Sequence, residues 1–256
     1  MKIVAISDTH NRHKQIKVFK ETVFSMVDGE DKEQEPLGGD IIIHAGDATG
    51  RGESGEVEAF IKWYGSLDFS HRILVPGNHD FFFERQPERA RELCEQYGVT
   101  LLIDESVVVN GVKIHGSPVQ PWFHNWAFNR ARTLEAATTV HPWIKNHWDL
   151  IPDDTDILVT HGPPYGVLDE VVRVDGSSYN PPNLVGCEEL MYAVKRIKPD
   201  IHIFGHIHCG HGQKHLNGTS FYNVAICDEM YSASMPVTEI DYEKEENNGK
   251  NESQSE

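Results

Sequence analysis

The chain has 256 residues, 39% hydrophobic and 25% charged, a balance that suits a globular enzyme and excludes a disordered, collagen-like or membrane polypeptide. Its 40 acidic against 23 basic residues leave −17, which repels DNA and anionic lipid at long range. Any phosphate-bearing partner must therefore be held by a local positive site.

Taken in chain order, Ile3 to Ser7 is a short apolar run cut off by Asp8. That is too early for the core of a secretory signal, and no later stretch reaches the ~18 apolar residues of a membrane span, so a cytosolic protein is expected. A helix-compatible stretch from Lys14 to Met26 precedes a charged loop, Asp28 to Glu35. Then come a strand at Ile41 to Ile43 ending in Gly46-Asp47, a helix at Glu56 to Tyr64, and a strand at Arg72 to Val75 ending in Pro76-Gly77-Asn78-His79-Asp80. Alternation of this kind argues for a parallel sheet with covering helices. After a helix at Pro87 to Tyr97, two runs joined by Asn110-Gly111 carry a hairpin signal, so antiparallel parts are expected too. Further strands are predicted at Asp156 to Thr160, Ile201 to Phe204, Phe221 to Ile226 and Val237 to Ile240, with a helix at Glu188 to Ile197 and a hairpin at Asn217-Gly218. No repeat or linker divides the chain, so a single domain over residues 1–240 is expected. Residues 241–256 hold six acids and two lysines with almost nothing apolar, which reads as a disordered acidic tail and leaves −13 on the body. Cys94, Cys187, Cys209 and Cys227 are widely spaced, suggesting neither a disulfide framework nor a zinc knuckle.

Five predicted strand ends share one feature: the apolar run stops and a metal-capable side chain follows. These are Asp8 and His10, Asp47, Asn78 and His79, His161, and His206 and His208. In open α/β sheets the carboxyl ends of neighbouring strands converge on one crevice. One such residue alone is more often a turn former, but five coincident strand ends argue for a site. Two carboxylates, an amide oxygen and several imidazoles suit borderline divalent ions such as Mn²⁺, Fe or Zn²⁺, and one carboxylate can bridge two of them. Asp8 and His10, and likewise His206 and His208, are two residues apart, so on extended backbone each pair points one way and can chelate.

The ordered set Asp8-Thr9-His10, Gly46-Asp47, Gly77-Asn78-His79-Asp80, His161-Gly162 and Gly205-His206-Ile207-His208 resembles the calcineurin-like metallophosphoesterase superfamily. Ser7 to Arg12, His44 to Asp47, Trp126 to Asn129 and Trp148 through Pro164 are similar to its metallophosphoesterase-domain-containing (MPPED) subgroup, and the likeness runs to about residue 230. The resemblance implies an α/β fold, the four-layer α/β/β/α sandwich with mixed sheets. It also implies a first divalent ion on Asp8, His10 and His208, a second on Asn78, His161 and His206, and Asp47 bridging them, with Mn²⁺ the first choice of metal. Such a pair would generate hydroxide at neutral pH for attack at phosphorus. His79 is the candidate general acid, and Asp80 either orients its imidazole or caps the following helix.

For substrate, Asn11 and Arg12 follow the first motif. The segment 121–130, with Trp126 and Asn129, offers aromatic faces and polar groups, although a hydrophobic cover over the sheet is the favoured reading. His44, His115, His141, His202, His211 and His215 default to core or turn duty. The expected activity is a phosphodiesterase on small nucleotides, cyclic ones especially, with a homodimer left open, no membrane partner and long duplex nucleic acid disfavoured. The alternatives are a nuclease or phosphomonoesterase and a nucleotide-binding protein with residual activity. Loss of the first His of the GHxH motif would mark the last of these, and this sequence keeps His206.

Overall fold

In β1 (Lys2–Ile6), side chains alternate between the two faces, yet both sets are buried, as in a sheet covered on both sides. This computed structural model describes residues 1–16, 38–173 and 176–244. Ile3 and Ala5 face one way, Val4 and Ile6 the other, and the same division separates Ile41 and Ile43 from Ile42 in β2 (Gly39–Ala45). After α1 (Ser54–Gly65), β3 (Phe69–Val75) repeats it with Ile73 and Val75 against Leu74. The chain continues through α2 (Phe81–Arg85), α3 (Pro87–Gln96), β4 (Thr100–Leu101) and the hairpin of β5 (Glu105–Val109) and β6 (Val112–Ser117). Short β7 (Gln120–Pro121) and β8 (Asn129–Arg130), then α4 (Lys145–Trp148), precede β9 (Ile157–Thr160). A second hairpin, β10 (Glu170–Val172) with β11 (Ser178–Leu184), leads to α5 (Glu188–Ile197) and β12 (Ile201–Phe204). The last strands are β13 (Gly212–Leu216), β14 (Thr219–Asn223) and β15 (Thr238–Asp241).

Two mixed sheets result. The first runs β15-β1-β2-β3-β4, parallel except for β15, and the second runs β13-β14-β12-β9-β6-β5, parallel except at its two edges. Ile3, Ile41 and Ile73 of the first pack between the sheets against Ile114, Ile157 and Ile203 of the second. The outer face of the first sheet is covered by Phe60, Tyr64, Phe82 and Ala90, and that of the second by Trp148, Leu190 and Val194. The fold is therefore a four-layer α/β/β/α sandwich. Just past β1, Ser7 pairs with Ala225, joining the two sheets at the edge where their parallel strands end.

The structure corrects several expected elements. The helix expected at Pro87 to Tyr97 is α3, opened by Pro87 and separate from the short α2 after Asp80. The β10–β11 hairpin was not foreseen, because β11 carries Pro181 and Pro182 and lacks alternation. Where a helix from Lys14 was expected, His13–Gln15 forms a 3₁₀ turn, and residues 17–37 lie outside the described residues. The acidic stretch after residue 240 begins as ordered chain: Asp241 pairs with Lys2, buried Tyr242 bonds Asp200, and Lys244 meets Asp156. Residues 245–256 of the expected tail lie outside the described residues.

Candidate metal centre

The seven residues expected as ligands meet at the joined edge of the sheets, and their ligand atoms fall into overlapping groups. Asp8, His10 and His208 form one, Asp47, His161 and His206 a second, and His10, Asp47 and His79 a third, each with atoms within 4.8 Å of one another. Asn78 Oδ1 lies 2.8 Å from His161 Nε2, which places the amide beside the second group. His206 and His208 thus serve different groups, contrary to the shared direction expected of residues two apart. The backbone explains this. His206 is left-handed, with φ 68°, and His208 starts a 3₁₀ turn, so the segment is not extended. Asp8, His10 and Asp47 are left-handed as well, at φ 53°, 40° and 56°. Such strain in non-glycine residues is held only where surrounding structure over-determines it, and it concentrates at functional sites.

Hydrogen bonds behind the cluster fix the imidazoles. His10 Nδ1 donates to the Thr49 carbonyl, His161 Nδ1 to Ala45 and His208 Nδ1 to Asp228, at 3.3, 3.0 and 3.0 Å. A backbone carbonyl can only accept, so each neutral ring turns an Nε2 lone pair inward, the arrangement by which ligating histidines are oriented. His10 Nε2 and His208 Nε2 face each other at 3.3 Å. Among the described residues, the ion-pair partners of Asp8 and Asp47 are histidines, with no Lys or Arg in reach. Buried carboxylates facing imidazole lone pairs fit divalent cations of the borderline class.

Without metal, protons take that place. Burial opposes the charge on His161 and His208, but the Asp47 carboxylate raises the first to about 9 and Asp8 raises the second to about 9. Burial would raise both acids, yet His208 holds Asp8 low and His161 holds Asp47 low. His206, by contrast, is pushed down to about 4, by burial first and then by charge on His161. Metal loading at pH 7 is therefore expected to release two protons, one each from His161 and His208; calorimetry in buffers of different ionisation enthalpy measures this. Both histidines sit above the unfolded value near 6.5, so their contribution to metal-free stability is complete below that pH and is lost as pH rises towards 9. The metal-free melting temperature should fall across this window. A flat profile would contradict the coupling.

His79 lies at the rim. Its Nδ1 donates to the Gly50 carbonyl at 2.7 Å, its Nε2 stands 3.9 Å from Asp47, and its ring stacks on Trp126 with centroids 4.1 Å apart. Contrary to both roles expected from the sequence, the Asp80 side chain neither orients this imidazole nor caps α2. It accepts from the backbone N–H groups of Gly77, Ala48 and Thr49 and from the Thr49 hydroxyl, tying the loops after β2 and β3 together. Burial raises it to about 6. Asp80→Asn would set an amide against those donors and should cost roughly 1–3 kcal/mol, read as a lower melting temperature.

The other predicted contacts divide. Trp126 is at the site, carried there by the Ala127 N–H bond to the Asn78 carbonyl. Asn11 donates to Glu56, and Arg12, two residues past His10, is exposed. Asn129 is buried and spends its amide on the backbone of Phe123 and His124, so it braces the loop instead of facing substrate. The cover expected of residues 121–130 is partial: Ala127 and Phe128 are core, whereas Trp122 and Phe123 are exposed. His44 is neutral core, pushed down to about 3 by burial, and links Thr9 to the Gly46 N–H.

Two features lay beyond the sequence reading. Tyr231 stands over the cluster, its ring centroid 4.8 Å from that of His10 and 5.5 Å from that of His208. No periodicity signals it. The motif glycines are the second: a Cβ on Gly77 would collide with Asp47, and one on Gly205 with Ser7 and Asp8. Their presence beside each motif was the available signal for close backbone approach.

A two-layered β-core with metal-capable side chains at one shared edge defines the metallophosphoesterase class, and the chain belongs to the calcineurin-like phosphoesterase family, whose model matches residues 1–210. Among its relatives are the human and mouse metallophosphoesterase domain-containing protein 1, each 34% identical over 94% of this chain and 70% of their own length. A UPF0046 protein of Caenorhabditis elegans is 33% identical over 93% of this chain and 79% of its own. The fold is also that of phosphopantetheinyl hydrolase from Mycobacterium tuberculosis, with TM-score 0.56 and 15% identity, covering 93% of this chain and 95% of that one. The family uses divalent metal ions for phosphoester hydrolysis. Among the described residues no helix is long and apolar enough to cross a membrane.

Proposed function

We propose that the chain is a binuclear metal-dependent phosphodiesterase acting in the cytosol on small nucleotides, cyclic ones in particular. Asp8, His10 and His208 would hold one divalent ion, Asn78, His161 and His206 the other, and Asp47 would be shared, with Mn²⁺ the first choice. The observation that carries this reading is the position of Asp47, which belongs to one group with His161 and His206 and to another with His10, itself part of the Asp8 group. When bound, the ions supply an acidified water and positive charge for phosphoryl oxygens.

The protein's own residues do the rest. His79 Nδ1–H is committed to Gly50, so a second proton on Nε2 is aimed into the site and available to a leaving oxygen. Trp126 lies face-on against the ring and fixes its orientation. Trp126, stacked on His79, would offer a face to a base, and exposed Arg12, two residues past His10, would take a phosphate. The Mn²⁺-loaded chain should be assayed on 2′,3′- and 3′,5′-cyclic nucleotides, an aryl diester, an aryl monoester and a single-stranded oligonucleotide. The reading expects kcat/KM highest on cyclic nucleotides. Preference for the monoester or the oligonucleotide would overturn the substrate class, and no turnover on any would overturn the reaction.

A further inference from the structure

We infer that Tyr231 is a substrate-contacting residue whose hydroxyl donates to a non-bridging oxygen of the phosphoryl group, across the site from His79; this rests on the phosphoesterase reading above. The turn that carries it is firmly built. The Asp228 carboxylate accepts from the Met230 and Ser232 N–H groups and the Ser234 hydroxyl, and the Asp228 carbonyl accepts from both the Tyr231 N–H and His208 Nδ1. One residue thus fixes a candidate ligand and the rim tyrosine together.

Tyr231 is held left-handed, with φ 57°, a conformation costing a bulky residue of order 1–3 kcal/mol. Core packing does not account for it, because the side chain is 45% exposed. Its hydroxyl has no hydrogen-bond partner among the described residues.

Geometry also decides between a stacking wall and a donor. The rings of Tyr231 and His79 are 6.4 Å apart at 62°, with His10 set edge-on to both. A flat base inserted between two rings needs parallel walls roughly 7 Å apart, twice the carbon contact distance. The gap is too narrow and too tilted for a base. A tetrahedral phosphoryl group needs no parallel walls.

The test uses the Mn²⁺-loaded full chain, with inorganic phosphate as the calorimetric probe and the aryl diester as substrate. Tyr231→Phe keeps the ring against His10 and removes only the donor. It should weaken phosphate binding about tenfold, the scale of one hydrogen bond to a charged group. kcat/KM should fall by a similar factor, with metal content and melting temperature unchanged. Met230→Ala, at an 82% exposed neighbour, should leave all four readouts as in the parent. Phosphate binding within twofold of the parent in Tyr231→Phe would overturn the contact. So would loss of metal in that variant, which would make the tyrosine a support for His10. If the parent binds phosphate but hydrolyses no diester, the proposed function fails while the contact is still judged by the binding ratio.

Discussion

Asp47→Asn should bind at most one metal ion per chain and lose about 10³-fold or more in kcat/KM on any phosphodiester. The amide keeps the side chain's size and an oxygen for the His79 N–H, now 2.8 Å from Oδ1, so the loop geometry is preserved. What disappears is the shared negative charge and a second anionic oxygen. Several kcal/mol of transition-state stabilisation rest on such a clamp, and each 1.36 kcal/mol is tenfold in rate. The fold should survive, since Asp47 lies at a strand end and the sheets pack through Ile3, Ile41 and Ile114. Asp80→Asn provides the contrast: melting temperature falls while metal stoichiometry holds. Two ions per chain and a rate within tenfold of the parent in Asp47→Asn would remove the bridging role.

His79→Ala has the second largest expected effect, and it should depend on the leaving group. For a diester expelling an alkoxide, the rate should fall 10²- to 10⁴-fold, the usual range for a positioned general acid. For one expelling p-nitrophenolate, which leaves without a proton, the loss should be less than about tenfold. Metal content should not change, because Asp8, His10, His208, Asn78, His161 and His206 are untouched. An equal loss on both substrates would make His79 a phosphate-binding residue instead of an acid.

Much of this architecture was legible in the chain. The hairpin at Asn110-Gly111 could be read because both residues adopt positive φ, 51° and 79°, as that turn requires. The helix at Glu188–Ile197 could be read because one face is apolar. The candidate ligands could be located because each follows a buried strand, and strand ends on one edge must converge. What escaped was set by tertiary contact. Asp80 is a preferred helix cap by residue type, but the loop after β2 passes close enough to claim both of its oxygens. Asn129 reads as a polar contact and turns inward to brace its own loop. Tyr231 owes its place to a turn organised by Asp228, which no period or motif announces. Tyr242 looked like part of a tail because charged residues follow it, yet its ring is buried and the chain's first residue bonds its carbonyl.

Anomalous diffraction from crystals of the Mn²⁺-loaded protein tests the central claim most directly. Two peaks are expected, one within coordination distance of Asp8, His10 and His208, the other of Asn78, His161 and His206, with Asp47 touching both. A single peak, or two that do not share Asp47, would contradict it.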